Sequence, residues 1–373
     1  MLKVFYDHQI FSMQRYGGIS RYYANLYESI LEESDVEASL GFRISNNYYI
    51  EKYVSSFQKF LKRKFAKNIP TYDYNRKHSL KVLKKADYDI YHPTYYDVYG
   101  LNDVKKPIIL TVHDMIHEIY PQYFSSADLK DSDNKYELAK RADKIIAISE
   151  STRNDLIRLF NIPETKIEVI YHGYLSAGIP VRSSKQLILP FTNYILFVGE
   201  RIRYKNFERF IEVFSELAIK YESLNLVCAG GGAFTKEEQE KFKKLKLFKK
   251  VFHISASDAE LLYLYKNARL FVFPSLYEGF GLPVLEAFAS NCPVALSSAS
   301  SLKEVGGDAV VYFDPCDSES MMLSVLRILE DDDLADELRL KGSERLKKFT
   351  FRACAASTIQ LYKSAAPLPK IIV

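Results

Sequence analysis

Leu270-Phe271-Val272-Phe273-Pro274-Ser275-Leu276-Tyr277-Glu278-Gly279-Phe280-Gly281-Leu282-Pro283-Val284-Leu285-Glu286 is the stretch that decides the fold. Its apolar opening reads as a buried strand, Gly279 and Gly281 as a turn, and Pro283 falls in the first turn of a helix, where proline is favoured. Strand, turn and helix in that order belong to an open α/β sheet, whose ligands bind in the crevice at the carboxyl ends of its strands. Glu278 lies in the turn and Glu286 about one helical turn into the helix, so both carboxylates are expected to face that crevice. The N–H groups from Phe280 to Leu282 would point there too, as a helix N-terminus does toward anions. Two carboxylates beside an anion site suit a ligand that carries both hydroxyls and phosphate, which is a nucleotide sugar.

The same alternation extends in both directions. Apolar runs at 2–6, 88–92, 107–112, 144–148 and 166–170 read as strands, with helical patterns at 19–31 and 150–160 between them and Ser149-Glu150-Ser151-Thr152 as a helix cap. Tyr194-Ile195-Leu196-Phe197-Val198-Gly199 starts a second series. Its first helix places Phe207, Phe210, Ile211, Phe214, Leu217 and Ala218 on one face, and further strands fit 224–228, 269–273, 293–296 and 309–313. The expected architecture is α/β, with two Rossmann-like doubly wound domains facing a cleft. The boundaries read as 1–175 for an acceptor-side domain, 176–192 for a linker, 193–350 for a nucleotide-sugar-binding domain, and 351–373 for a C-terminal helical segment.

Composition excludes several classes. A chain of 373 residues suits two α/β domains. With 47% apolar and 26% charged residues it is ordinary globular material rather than disordered. A net charge of +4 is too weak to imply nucleic acid. Cys228, Cys292, Cys316 and Cys354 are scattered, so neither a disulfide framework nor a zinc site is expected. No apolar run reaches the roughly 20 residues of a spanning helix. The 28 tyrosines suit sugar contact, and a biased genome explains them equally well.

Each further motif admits a bland reading beside the functional one. Gly17-Gly18 lets a loop approach a ligand, or is a plain strand–helix turn. His92 and His113 each follow a strand, where a lone histidine is often structural; two at neighbouring strand ends favour function. Arg201 and Lys205 follow a strand and flank a helix start, so they suit phosphate or form a solvated basic turn. Gly230-Gly231-Gly232 would also let backbone approach a ligand. Asp331-Asp332-Asp333 reads as a helix start rather than a metal site. Residues 57–67, in which Lys59, Lys62, Arg63 and Lys67 interleave with Phe57, Phe60, Leu61 and Phe65, suit an anionic membrane or an ordinary surface helix. Lys241 to Lys250 reads as a solvated helix face.

Taken together, Arg201 with Lys205, the glycine loop at 230–232 and the Glu278-x7-Glu286 pair resemble the retaining glycosyltransferases of family 4, which have the GT-B fold. Gly17-Gly18-Ile19-Ser20-Arg21, the strand ends at His92 and His113, and Tyr204-Lys205-Asn206-Phe207 look like those of bacterial polysaccharide and lipopolysaccharide members, many of them mannosyltransferases. The resemblance implies a hexosyltransferase that needs neither cofactor nor metal. Glu278 would bind donor-sugar hydroxyls and Glu286 the ribose hydroxyls. The backbone at Gly279, Phe280, Gly281 and Leu282 would touch sugar and diphosphate. Arg201 and Lys205 would neutralise the diphosphate, and His113 would sit near the reacting carbon. Gly17, Gly18 and Gly231 would border the donor, with His92 and Arg21 on the acceptor side. The donor would be a GDP-sugar, or failing that a UDP-sugar, and the acceptor a glycan or lipid-linked glycan. The setting would be cytoplasmic, with peripheral membrane contact through 57–67. The alternatives are a sugar-nucleotide epimerase of the same fold or a non-catalytic carbohydrate-binding subunit. Two features depart from the family pattern: Phe252-His253-Ile254-Ser255 stands where a Phe-x-Gly run is common, and Asn291-Cys292 replaces a small-residue and glycine pair.

Overall fold

A computed structural model describes residues 1–54, 71–175, 187 and 189–366. The basic amphipathic stretch at 57–67 and most of the expected linker lie outside the described residues. Among those described, no helix is long and apolar enough to cross a membrane. The chain divides into two compact units, one formed by Met1–His172 with Phe351–Val373 and the other by Gly173–Thr350. Both are Rossmann-like α/β units with parallel strands.

In the first unit, β1 (Leu2–Tyr6) lies between β2 (Val36–Leu40) and β3 (Ile90–His92), and β5 (Lys144–Ala147) lies between β4 (Ile109–Val112) and β6 (Ile167–Val169). A parallel bridge between Tyr91 and Ile108 joins the two groups, so the strands run β2-β1-β3-β4-β5-β6. The helix Glu150–Phe160 begins at Ser149, whose hydroxyl accepts from the Thr152 amide at 3.0 Å. The helix Phe351–Ala365 buries Phe351, Cys354, Ile359 and Tyr362 in this unit.

The second unit is a single six-stranded sheet in the order β12-β11-β10-β7-β8-β9. Its strands are β7 (Tyr194–Val198), β8 (Asn225–Ala229), β9 (Val251–Ile254), β10 (Leu270–Phe273), β11 (Val294–Ser297) and β12 (Val311–Phe313). Every residue of β7, β8, β10 and β11 is buried, as expected of strands covered on both faces. The helix Phe207–Lys220 packs Phe207, Phe210, Ile211, Phe214 and Leu217 into the core with Met321, Val325 and Ile328 of the helix Ser318–Glu330. Each such side chain contributes about 1.5–3 kcal/mol by leaving water. Asp331 caps the helix Asp332–Leu346 by accepting from the Leu334 amide at 2.8 Å, the role expected of that acidic run. The Lys241–Lys250 run departs from expectation: the helix Lys236–Lys244 ends within it, and Lys246 turns the chain at φ 59° toward β9.

Candidate functional site

The sheet order of the second unit places its site. From β7 the chain winds outward through β8 and β9, then returns to β10 on the other side of β7 and winds away through β11 and β12. The crevice where that direction reverses, at the carboxyl ends of β7 and β10, is where doubly wound sheets bind their ligands. The loops leaving those two strands carry Arg201 with Lys205, and Glu278 with Gly279–Gly281, respectively.

These loops are fastened together. The Leu276 amide donates to Tyr204 O at 2.8 Å. Asn206 is buried in a left-handed conformation at φ 58°, and its Nδ2 donates to Pro274 O at 3.1 Å and Pro315 O at 2.7 Å. Across the junction, Lys205 Nζ donates to Glu278 Oε1 at 2.6 Å, with the two side chains 16% and 14% exposed. The turn is held from behind by Ser300 and Ser301. The Glu278 amide donates to Ser300 Oγ at 2.9 Å, and Ser301 Oγ lies 2.8 Å from Glu278 O and 3.0 Å from Phe280 O. Gly281 sits at φ +115° ahead of the helix Leu282–Ala289, and a Cβ there would lie 2.8 Å from Leu302 Cδ2. Of the first three positions of that helix, Leu282 has no intrahelical acceptor, Pro283 has no N–H, and the Val284 amide donates to Gly281 O at 3.0 Å. Glu286, inside it, accepts from Tyr265 Oη at 3.3 Å. Burial first, then the charge of Glu286, holds the Tyr265 phenol well above its ordinary range, so it stays a donor.

Arg201 takes a different place from the one expected of it. Its side chain is only 4% exposed. Nε donates to Glu238 Oε1 at 2.6 Å, Nη1 to Gly230 O at 3.0 Å, and Nη2 to Gly232 O at 3.0 Å, while the Phe234 ring lies 4.8 Å away. Gly230, Gly231 and Gly232 have φ of 88°, 71° and 70°, a run in which the chain folds its carbonyls around one cation. Gly231 lies so close that a Cβ would meet Arg201 Nη1 at 2.9 Å. In this structure the Arg201 guanidinium clamps the glycine loop.

In the first unit, His92, expected on the acceptor side, is held inside the fold. The residue is fully buried, with Nδ1 2.6 Å from Tyr362 Oη and Nε2 2.9 Å from Thr111 Oγ1 and 3.2 Å from Tyr23 Oη. Both ring nitrogens are satisfied inside the unit, and burial lowers the imidazole to about 3. His113 differs. It follows β4, is 5% exposed, stacks on His172 at 5.5 Å, and its Nε2 has no hydrogen-bond partner among the described residues. Burial first, then His92 and Lys135, lowers it to about 3, so it is a neutral hydrogen-bonding group at physiological pH. Gly17 and Gly18 open the helix Gly18–Leu31, but Gln14 Oε1 already accepts from the Ser20 amide at 3.3 Å and would lie 2.2 Å from a Cβ on Gly17. Arg21 is half-buried in the first turn of this helix.

Several organising residues were not singled out from the sequence. Asp7, fully buried just after β1, accepts from Thr94 Oγ1 at 2.6 Å, Gln9 Nε2 at 2.7 Å, Tyr91 Oη at 2.8 Å and Tyr99 Oη at 3.1 Å. A charged residue directly behind an apolar strand was the available signal. Glu238, by contrast, shows only as the helix-capping partner of Thr235, and nothing local marks it as the counterion of Arg201.

Comparison with known proteins agrees with this fold. Residues 183–345 match the family model of glycosyl transferases group 1, and residues 16–174 match that of glycosyltransferase family 4. O-antigen chain mannosyltransferase B of Escherichia coli is 28% identical over 301 residues, covering 77% of each chain. The sucrose-phosphate synthase of Thermosynechococcus elongatus superposes with a TM-score of 0.71 at 19% identity, over 98% of this chain and 99% of its own. The Anabaena protein HepE, in complex with UDP and glucose, superposes with a TM-score of 0.68 at 16% identity, over 98% of this chain and all of its own (100%).

Proposed function

The chain belongs, through its two halves, to the group 1 and family 4 glycosyltransferases of GT-B fold, and from that premise we propose that it moves a hexose, mannose before others, from a nucleoside diphosphate sugar to a hydroxyl of a glycan or lipid-linked glycan in cell-surface polysaccharide synthesis. The observation that carries this reading is the Lys205–Glu278 pair, closed at 2.6 Å across the switch point of the sheet. A cation and a carboxylate held side by side in that crevice match a ligand with phosphate at one end and sugar hydroxyls at the other.

In this reaction the bond from the anomeric carbon to the donor diphosphate breaks, and a bond from that carbon to the acceptor oxygen forms on the same face. The acceptor proton passes to a donor phosphate oxygen, so the configuration is retained without a protein nucleophile. Lys205 and the N-terminus of the helix Leu282–Ala289, through the Leu282 amide, stabilise the charge that develops on the departing diphosphate. Glu278, released from Lys205 as the phosphate arrives, accepts from sugar hydroxyls, while Glu286 takes those of the ribose. Arg201 acts at one remove, by fixing the glycine loop. His113, neutral and with Nε2 unpartnered, offers a hydrogen bond to a sugar hydroxyl and is not a general base. GDP-mannose is the leading donor by likeness to the mannosyltransferase relative, with UDP-hexose next by likeness to the UDP-bound structure.

Turnover of GDP-mannose and UDP-glucose by Lys205→Ala and Glu278→Gln tests the reading. Each is expected to lose on the order of 10²–10³ in kcat, and full activity in either overturns the donor-site assignment. Activity is expected to survive EDTA; complete loss reversed by magnesium would contradict the metal-independent route.

A further inference from the structure

The first unit carries a cavity that the donor chemistry leaves unused. It has a volume of about 390 Å³ and is lined by Arg15, Tyr16, Asn46, Asn47, Tyr48 and Glu51. Its walls are the segments that follow β1 and β2, adjacent parallel strands, so it too lies at strand carboxyl ends.

Its outer surface is aromatic. Tyr16 and Tyr48 are 57% and 40% exposed, with ring centroids 5.3 Å apart. Tyr49 meets Tyr48 edge-on at 5.5 Å, and the Arg15 guanidinium lies 5.3 Å from the Tyr16 ring centroid. These exposed rings stand on a buried polar frame. Asn47, only 2% exposed, donates through Nδ2 to Gln14 O at 2.9 Å and accepts from the Tyr49 amide at 3.0 Å. The Tyr48 amide donates to Arg15 O at 3.0 Å, and Ser45 Oγ donates to Phe11 O at 2.5 Å. Two large rings held on a pre-organised stage keep much of their apolar area in water, and something flat and partly apolar would cover it. The lining carries one guanidinium and one carboxylate, so its formal charge is zero. A pyranose fits this chemistry, because its C–H face stacks on aromatic rings while its hydroxyls bond to charged and amide groups at the rim.

We propose that this cavity binds a neutral sugar unit of the glycan acceptor, with Tyr16 and Tyr48 as the stacking platform and Arg15, Asn46 and Glu51 as hydroxyl partners. The assignment to an acceptor rests on the transferase reading above; the sugar site itself does not.

The test uses the full chain and mannotriose. Saturation-transfer NMR without nucleotide is expected to show mannotriose bound to the wild type and lost in a Tyr16→Ala, Tyr48→Ala double variant. A Tyr16→Phe, Tyr48→Phe variant, which keeps the rings, is expected to retain binding and serves as the second arm if the alanine variant fails to fold. With a glycan acceptor, the alanine variant is expected to raise the acceptor KM by about tenfold or more, with kcat at saturation and hydrolysis of donor to water unchanged. An unchanged acceptor KM, absence of mannotriose binding to the wild type, loss of binding in the phenylalanine variant, or displacement of mannotriose by inorganic pyrophosphate would each overturn the proposal. Binding of mannotriose that depends on both rings, in a protein that transfers nothing from any sugar nucleotide, would uphold the sugar site and sink only the transferase reading.

Discussion

Arg201 and Lys205 are cations four positions apart on one loop, yet the structure gives them different partners. Lys205 meets a single carboxylate, a partner that an arriving phosphate can replace. Arg201 is locked by the carbonyls of the glycine loop and by Glu238. The two roles separate experimentally. Arg201→Lys keeps the charge but not the fork of donors, so it is expected to cost about 1–3 kcal/mol of stability through unsatisfied buried carbonyls, read as a lower thermal midpoint with the loop at 230–233 more open to hydrogen exchange. Lys205→Ala is expected to lower kcat/KM with the midpoint little changed. Equal midpoints for wild type and Arg201→Lys would mean that the clamp does not matter. The sequence shows why this was hard to read. A charged residue behind an apolar strand marks the crevice end of a sheet, which is how Lys205, Glu278 and His113 became candidates. It does not say which way the side chain turns. His92 turns inward because Tyr362, 270 positions along the chain, supplies its partner there.

At the scale of elements, strands with continuous apolar runs were legible and those without were not. β2 and β9 were the strands missed, and both are sheet edges. Their burial alternates or fades, as Val36–Leu40 and Val251–Ile254 show, because one side of an edge strand faces solvent and polar residues are tolerated there. Central strands such as β7 and β10 cannot tolerate them. The turn from β10 into the helix Leu282–Ala289 was readable for a sharper reason: its glycines and Pro283 are dictated by backbone geometry. Gly281→Ala tests that geometry. A side chain at φ +115° is strained, and its Cβ would press on Leu302 at 2.8 Å, so the variant is expected to lose about 1–3 kcal/mol and to weaken nucleoside diphosphate binding by displacing the helix N-terminus. A variant that binds GDP or UDP as the wild type does would show that the amides at this turn do not hold the ligand.

At the scale of the whole molecule, titratable groups are divided unequally between the two units. Six of the seven histidines lie in the first unit, and only His253 in the second. His92 and His113 are lowered to about 3 and His172 well below its ordinary value, in each case by burial before any charge. The unfolded chain binds protons at these positions once pH falls below about 6.5, whereas in the native unit His92 and His113 do not until near pH 3 and His172 stays neutral well below 6.5. Their contribution is therefore complete above 6.5 and shrinks as pH falls through the window from 6.5 to about 3, each histidine removing up to about 1.4 kcal/mol per pH unit. Hydrogen exchange at pH 7.5 and 5.5, corrected for intrinsic rates, resolves this by region. Opening free energies for β3, β4 and the helix Phe351–Ala365 are expected to fall on acidification, while those for β7, β8 and β10 hold nearly constant. A saturating nucleoside diphosphate acts on the other unit, adding protection at 199–206 and 274–282 by about 2.7 kcal/mol at a hundred times its dissociation constant. Substituting His92 by Gln, which keeps a donor and an acceptor without a titratable ring, is expected to flatten the acid response of the first unit. An acid response of equal size in both units, or one that His92→Gln leaves unaltered, would show that these buried imidazoles do not set it.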